Sequence, residues 1–139
     1  MFNIFCLDVD KQFEFYAAIS GWREIKEASS PIYRVLVCEN TQLGFNGLPA
    51  YDLLGLEQRK RTQQAGNVNG MVTFVVESPN LVDDVAELVP KIGGKVVKVP
   101  FATYYAHWQL VFEDPEGNIA RVTSTTLPGG AVVPAVSFT

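Results

Sequence analysis

Apolar and polar positions follow the same order of patterns twice along the chain. A short apolar run at 2–7 precedes a helical pattern at 9–19, and a second run at 71–76 precedes a helical pattern that begins at 79. Three segments with strand-like alternation follow each helix. These predicted strands are 22–27, 32–38 and 41–46 in the first half, and 96–99, 107–112 and 119–124 in the second. The sequence therefore predicts two βαβββ modules, which is an internal repeat of architecture.

The predicted helices carry recognisable end signals. Asp8 is a suitable N-cap for the first helix, and Gly21 is placed to end it. In the second helix Ser78 is the predicted N-cap, with a proline at the first helical position. Its predicted buried stripe consists of Leu81, Val85 and Leu88, and its end is expected at Gly93-Gly94.

The segment Asp114-Pro115-Glu116-Gly117-Asn118 is the strongest turn signal in the chain. Proline presets φ at the second turn position, glycine accepts a positive φ, and the Asp and Asn side chains bond local backbone. The turn lies between two alternating runs, so it predicts an antiparallel pair of half-buried strands.

We expect a first module at 1–48, a linker at 49–70, a second module at 71–125 and a tail at 126–139, together forming one domain. The linker is polar and rich in Gly and Asn after Gln58. The tail is apolar but broken by prolines, which favours either an edge strand or a segment that covers a partner subunit.

Composition narrows the class of protein. Hydrophobic residues make up 47% and charged residues 19% of the 139 positions, as in ordinary globular domains. The net charge of −4 argues against a nucleic-acid-binding protein. No apolar run approaches the roughly 20 residues that span a bilayer, and the start of the chain lacks a basic leader, so we expect no membrane partner and a cytoplasmic location.

Four features together resemble the vicinal oxygen chelate superfamily, the glyoxalase/bleomycin-resistance/dioxygenase proteins. They are the two βαβββ halves, Asp8 followed by Phe15-Tyr16 and Gly21-Trp22, Gly93-Gly94 after the second helix, and the turn at 114–118. The resemblance covers nearly all of residues 2 to 124. It implies an α+β fold in which each module is a curved mixed sheet with one packed helix, and the two modules form a central cavity.

The resemblance also implies where metal-dependent members place their ligands. The corresponding positions here are Met1 (or Asn3), Gly44, Met71 and Arg121, and none is a carboxylate or an imidazole. A divalent-metal site needs several such side chains at one point, and the chain has one histidine, His107, outside these positions. We therefore predict that the metal site is absent and that no cofactor is bound.

Strand alternation sorts side chains by sheet face. In the second half, Trp108, Leu110 and Phe112 are predicted to pack under the helix. The opposite face is then predicted to carry His107, Gln109, Val111, Ile119, Arg121, Thr123 and Thr73. In the first half, the residues predicted to pack toward the helix are Tyr33, Val35 and Val37, and those predicted on the opposite, concave face are Arg34, Leu36, Cys38, Gln42, Gly44 and Asn46.

The concave face mixes apolar and polar groups, as a small-molecule pocket does. Arg121 can hold a carboxylate or phosphate, or else pair with an acid such as Glu113 or Glu39. His107 is either an acid/base group, and so the one weak catalytic candidate, or a hydrogen-bonded packing residue. The predicted ligand-binding residues are Arg121, His107, Gln109, Arg34, Cys38, Asn46, Tyr104, Tyr105 and Thr73.

These observations lead to a predicted function. We expect a metal-independent small-molecule binding protein that holds an organic, anionic or aromatic ligand in the cavity between the modules. The drug-sequestering branch of the resembled family implies a homodimer. The alternatives are a glyoxalase-like lyase, isomerase or dioxygenase with a divergent metal site or His107 as acid/base, and an interaction module whose cavity is vestigial.

Overall fold

The computed structural model describes residues 1–62 and 66–138. Residues 63–65 of the predicted linker and residue 139 of the predicted tail lie outside the described residues. The chain divides into two compact units, Met1–Gly66 and a second unit that begins at Asn67. Each unit contains one four-stranded sheet with a helix packed on it.

The first unit has the predicted order of one strand, one helix and three strands, followed by a short helix that overlaps the predicted linker. In chain order these are β1 (Phe2–Phe5), α1 (Val9–Ser20), β2 (Arg23–Glu24), β3 (Tyr33–Cys38), β4 (Thr41–Asn46) and α2 (Leu48–Leu53). The strands lie in the order β1-β4-β3-β2, with β1 parallel to β4 and the other pairs antiparallel. A 3-10 turn at Lys26–Ala28 takes the end of the predicted strand 22–27, so β2 is short.

The second unit repeats this topology. Its elements are β5 (Val72–Val76), α3 (Pro79–Leu88), β6 (Lys95–Ala102), β7 (Trp108–Glu113) and β8 (Ile119–Ser124). The strand order is β5-β8-β7-β6, with β5 parallel to β8 and the other neighbouring pairs antiparallel. The predicted α+β fold of two βαβββ modules, each a mixed sheet with one packed helix, is confirmed, and the strand order leaves each sheet open.

Both ends of α1 form as predicted. The Asp8 side chain accepts a hydrogen bond from the Lys11 amide at 3.0 Å, and Gly21 takes the left-handed conformation with φ 67°. The buried face of the helix meets the sheet through aromatic rings. Phe13 and Tyr16 contact Phe45 of β4 with ring centroids 6.0 and 5.5 Å apart, so the core of this unit is largely aromatic.

The predicted stripe of α3 is partly wrong. The buried residues are Val82 and Val85, followed by Val89 just beyond the helix, whereas Leu81 is 44% exposed. Ser78 is the N-cap residue, but its side chain makes no capping hydrogen bond. After the helix the chain continues as a 3-10 turn to the left-handed Gly93, as the Gly93-Gly94 signal predicted.

The turn at 114–118 is built around one buried carboxylate. Asp114 Oδ1 accepts hydrogen bonds from the amides of Glu116 and Asn118, and Oδ2 accepts from the Asn118 side chain at 2.7 Å. Gly117 supplies the positive φ, 82°. The turn fixes the β7–β8 register, in which Val111 lies opposite Arg121.

The predicted linker and tail lie outside the two βαβββ repeats. The predicted linker contains α2, whose Tyr51 ring packs on Phe5 at 4.7 Å. No strand forms in the described residues of the tail, 126–138, so the predicted edge strand is not observed there. Across residues 1–62 and 66–138, none of the helices is long and apolar enough to cross a membrane.

Candidate functional site

Strand pairing collects polar side chains on one face of the second sheet. Thr73 of β5 lies beside Arg121 of β8, and Gln109 of β7 lies opposite Thr123 of β8. The other face packs on α3, where Trp108 Nε1 donates to Asp83 at 2.8 Å. The predicted division of this sheet into a helix face and a polar face is therefore confirmed.

Arg121 is the centre of this polar face. Its Nε donates to Thr73 Oγ1 at 2.7 Å, and its Nη1 lies 3.4 Å from Gln109 Oε1. The side chain is half-buried. Among the residues that the structure describes, no carboxylate pairs with Arg121, so the alternative of an ion pair with Glu113 or Glu39 is not observed.

Gln109 joins Arg121 to the loop between β6 and β7. Gln109 is buried, and its Oε1 also accepts a hydrogen bond from the Tyr105 hydroxyl at 3.0 Å. Because both contacts are made by donors, the amide is oriented with its oxygen toward them. Its Nε2 then remains as a donor with no acceptor among the described residues.

The loop that carries Tyr105 is tightly held. The Thr103 amide donates to the His107 carbonyl at 2.8 Å, and the His107 amide donates to Thr103 Oγ1 at 2.9 Å. Ala106 has φ 62°, a left-handed conformation that residues with a β-carbon rarely adopt. Such strain persists only where surrounding contacts enforce it, as the buried Thr103 does here.

His107 lies at the margin of the same group. Its Nδ1 is 3.4 Å from Thr123 Oγ1, and its ring meets the Tyr105 ring edge-on at 4.8 Å. Tyr104 contacts Tyr105 at 4.9 Å and the tail residue Phe138 at 5.2 Å. The structure thus brings together six of the nine predicted residues: Arg121, Thr73, Gln109, His107, Tyr105 and Tyr104.

In the first sheet the predicted faces of β3 are wrong. Arg34 faces α1: its guanidinium carbon lies 3.5 Å from the centre of the Phe13 ring, and Nη1 contacts Asp10 and Glu14. Its Nε and Nη2 donate to the two carboxylate oxygens of Glu24, at 3.0 and 3.2 Å. Arg34 is therefore on the helix side.

The length of the hairpin loop explains the error. Cys38 pairs with Thr41, so the β3–β4 loop contains two residues. Each β3 residue then shares a face with its direct partner on β4, which groups Arg34 with Phe45 and leaves the opposite face to Tyr33, Val35 and Val37. The predicted grouping of Arg34 and Cys38 with Asn46 requires a three-residue loop. With the two-residue loop, the exposed Cys38 lies on the face opposite to that of Asn46.

Asn46 is on the predicted face, away from α1. Its Nδ2 donates to Asn3 Oδ1 at 3.2 Å, and Asn3 lies beside Gly44 in the sheet. Tyr33 fills the space over Gly44, where a β-carbon would be 2.7 Å from the Tyr33 hydroxyl oxygen. Burial raises the pKa of this phenol, so Tyr33 is neutral near pH 7.

The donor groups do not fit the metal site that the resemblance implies. The register places Asn3 beside Gly44 and Thr73 beside Arg121, while Met71 precedes β5. The implied positions, Met1 (or Asn3), Gly44, Met71 and Arg121, offer a thioether (or an amide), no side chain, a second thioether and a guanidinium, and a cation beside Arg121 would meet like charge. Thr73, which the register places beside Arg121, offers only a hydroxyl. No cluster of three His, Cys, Asp or Glu side chains suited to a metal occurs in residues 1–62 and 66–138.

Two residues that contact this group of side chains, Thr123 and Phe138, are not among the predicted binding residues. Thr123 was assigned to the face but not to the site, although antiparallel pairing after the 114–118 turn brings it next to His107. Phe138 gave only a weak signal, as an aromatic residue in an otherwise proline-broken tail. Its contact with Tyr104 depends on the path of the tail, which has no periodicity to read.

Comparison with known proteins agrees with this architecture. The family model described as "Glyoxalase/Bleomycin resistance protein/Dioxygenase superfamily" matches residues 1–122. A crystal structure of a glyoxalase/bleomycin resistance protein/dioxygenase family enzyme from Burkholderia phytofirmans PsJN is 32% identical, with a TM-score of 0.82 over 89% of this chain and 96% of that one. A search of curated proteins finds no match.

More distant structures share the fold alone. The fosfomycin resistance protein FosX from Mesorhizobium loti is 12% identical, with a TM-score of 0.64 over 91% of this chain and 90% of that one. Lactoylglutathione lyase from Agrobacterium tumefaciens is 16% identical, with a TM-score of 0.66 over 89% and 91%. The match of the family model over most of the chain shows that this protein belongs to the glyoxalase/bleomycin resistance protein/dioxygenase superfamily.

Proposed function

We propose that the protein binds a small organic anion, without a metal ion, on the polar face of the second module. The observation that carries the proposal is the guanidinium of Arg121, half-buried and hydrogen-bonded only to neutral groups among the described residues. Thr73 and Gln109 orient it without neutralising it. A bound carboxylate or phosphate would supply the missing charge through two parallel hydrogen bonds.

Neighbouring donors favour the same kind of ligand. Gln109 Nε2 has no acceptor among the described residues, and it belongs to the side chain whose oxygen contacts Arg121. An anion bound to Arg121 would bring oxygen atoms within reach of this second donor. Tyr105, through its hydroxyl on Gln109, fixes the amide in the orientation that the anion requires.

Absence of metal is part of the proposal, and it rests on donor chemistry. Neither Thr73 nor Arg121 is a ligand that divalent cations prefer, and Gly44 has no side chain to offer. One structure that shares the fold is described as a fosfomycin resistance protein, FosX from Mesorhizobium loti. We assign this chain a metal-independent binding role on its own donor groups and not on the activity of that protein.

Isothermal titration with inorganic phosphate and with benzoate tests the site. We expect Arg121→Met to weaken both at least about 10-fold, because a charged hydrogen bond contributes about 1.5–3 kcal/mol. Arg23→Met removes the same charge from an exposed position on β2 and is the matched control. Equal affinity in the wild type and Arg121→Met would remove Arg121 from the site.

A thermal-shift series with Mn²⁺, Ni²⁺, Zn²⁺ and Fe²⁺ tests the metal-free part. We expect no saturable rise of Tm at micromolar concentrations of any of these ions. A saturable rise that disappears in Thr73→Ala would show that a metal binds at this face and would overturn that part.

An enzyme is the second candidate, because His107 lies in the same group of side chains. Its Nδ1 contacts Thr123, and its Nε2 has no partner among the described residues, which leaves a nitrogen for proton transfer. A lactoylglutathione lyase assay on the wild type and His107→Gln, with and without added metal ions, discriminates the two candidates. Turnover that His107→Gln abolishes would favour the enzyme.

A homodimer and a cytoplasmic location complete the proposal. The apolar tail after Ser124, with Val132 and Val136 exposed, is the segment we expect to contribute to a subunit contact. Light scattering after size exclusion measures the mass in solution. A monomer at micromolar concentration would contradict the dimer without affecting the anion site.

A further inference from the structure

Four aromatic rings form a continuous row at one end of the polar face. Phe138 contacts Tyr104, Tyr104 contacts Tyr105, and Tyr105 contacts His107, with centroid separations of 5.2, 4.9 and 4.8 Å. All three contacts are edge-to-face, with interplanar angles of 72° to 86°. In this arrangement each ring leaves part of its surface uncovered by its neighbour.

The rings are unusually exposed for aromatic side chains. Tyr104 is 51% exposed, Tyr105 is 41% exposed and Phe138 is 77% exposed. Exposed aromatic surface next to polar groups is a common property of ligand sites. The row therefore has unused surface that a flat ligand can cover.

The backbone holds two of these rings in a fixed position. The loop from Thr103 to His107 closes through hydrogen bonds at both ends and keeps Ala106 in a left-handed conformation. Tyr104 and Tyr105 lie within this loop, and their ring centroids are 4.9 Å apart. Preorganised rings lose little conformational freedom when a ligand packs on them.

The row is connected to Arg121 by a single side chain. Gln109 Oε1 accepts from both the Tyr105 hydroxyl and Arg121 Nη1, so the phenol end of Tyr105 points toward the guanidinium. The ring of Tyr105 extends from there toward Tyr104 and Phe138. A ligand with an anionic group at Arg121 therefore has exposed aromatic surface close by, separated from the guanidinium by the Gln109 side chain.

We propose that Tyr104, Tyr105 and Phe138 form an aromatic subsite beside Arg121, which makes the ligand an aryl-bearing small anion and Phe138 a specificity residue supplied by the tail. This inference rests on the proposed function, since the anionic group of the ligand is held by Arg121. The tail closes one side of the subsite with a ring that the two modules themselves do not provide.

The experiment compares two probes of equal charge and similar size, benzoate and cyclohexanecarboxylate, by NMR titration of the full chain. We expect the wild type to bind benzoate about fivefold more tightly, as edge-to-face ring contacts predict. Phe138→Ala should lower that preference to about twofold while the affinity for cyclohexanecarboxylate stays within error. Val132→Ala changes another exposed tail residue and should leave both affinities unchanged.

Failure of the subsite and failure of the anion site give different results. Equal binding of the two probes in the wild type, with both lost in Arg121→Met, overturns the aromatic subsite only. Tighter binding of benzoate in Phe138→Ala also overturns it, because the tail then blocks the site. Binding of neither probe, or full binding in Arg121→Met, overturns the anion site and the subsite together.

Discussion

Arg34 and Arg121 lie on central strands of the two related sheets, yet their surroundings are opposite. Arg34 faces the helix of the first module and contacts three carboxylates and the Phe13 ring. Arg121 faces away from the helix of the second module and contacts two neutral groups. Arg34 is neutralised within the fold, whereas Arg121 has no charged partner among the described residues, which is why we propose that a ligand anion binds there.

The largest expected effect concerns stability. Arg34→Met leaves Glu24 partly buried without its partner, and we expect the free energy of unfolding to fall by about 2 kcal/mol. Arg121→Met should cost less than about 0.5 kcal/mol, because the lost bonds are to neutral groups at a half-exposed site. Urea denaturation measures both. A larger loss of stability for Arg121→Met than for Arg34→Met would show that Arg121 has a structural role and would contradict the difference between the two arginines.

Gly44 of β4 and Arg121 of β8 occupy equivalent positions in the two modules, but the space for a side chain at residue 44 is already filled. Gly44→Ala brings a β-carbon onto the Asn3 side chain and against Tyr33, so we expect a loss of about 1–2 kcal/mol. Adding Asn3→Ala to Gly44→Ala should recover part of that loss, measured as a double-mutant cycle by urea denaturation. Strict additivity of the two changes would show that the contact is not what excludes a side chain at this position.

The two helix N-caps provide a smaller contrast. Asp8→Ala removes the hydrogen bond to the Lys11 amide and should cost about 1 kcal/mol. Ser78→Ala removes no capping bond and should cost much less, about 0.3 kcal/mol or below. Thermal unfolding of the two variants side by side measures the difference. Equal losses would mean that the Ser78 hydroxyl caps α3 in solution.

The smallest expected effect is a dependence on pH. The hydrogen bonds from Arg34 lower the pKa of Glu24 below its usual 4.5 in the folded protein. Stability from this pair is therefore present above pH 4.5 and is lost as the pH falls from there through the lowered pKa. Glu24→Gln should flatten the decline in stability below pH 4.5, while Glu87→Gln, at an exposed carboxylate, should follow the wild type.

The faces of the second sheet were easier to predict than those of the first for a local reason. Its last two strands are joined by a turn whose geometry follows from Asp114 and Gly117, so the face of Arg121 follows from the strand register. In the first module both faces of β3 carry large apolar side chains, and the polar Arg34 suggested the wrong face. The sequence pattern of one strand does not give the length of the hairpin loop that follows it. That length decides which residues of the next strand lie on the same face of the sheet.

The contacts of the candidate site were less predictable than its residues. Strand alternation places Arg121 and Gln109 on one face. The absence of an acidic partner for Arg121 among the described residues follows only from the structure. In α3 the predicted Val85 is buried, but Val82 and Val89 are buried where Leu81 and Leu88 were predicted, because adjacent apolar residues on a helix allow two overlapping stripes. Phe138 depends on a tail without regular structure.

The parallel pairing of the first and last strands in each module has a consequence for the order of folding. In the part of the chain that the structure describes, β5 pairs with β8 alone, so Thr73 meets Arg121 only after the intervening chain has folded back. The hairpin of β7 and β8 needs only the local turn at 114–118 and can form early. The contact between Arg121 and Thr73 therefore depends on a long-range strand pairing, whereas the pairing of Gln109 with Thr123 depends on a local one.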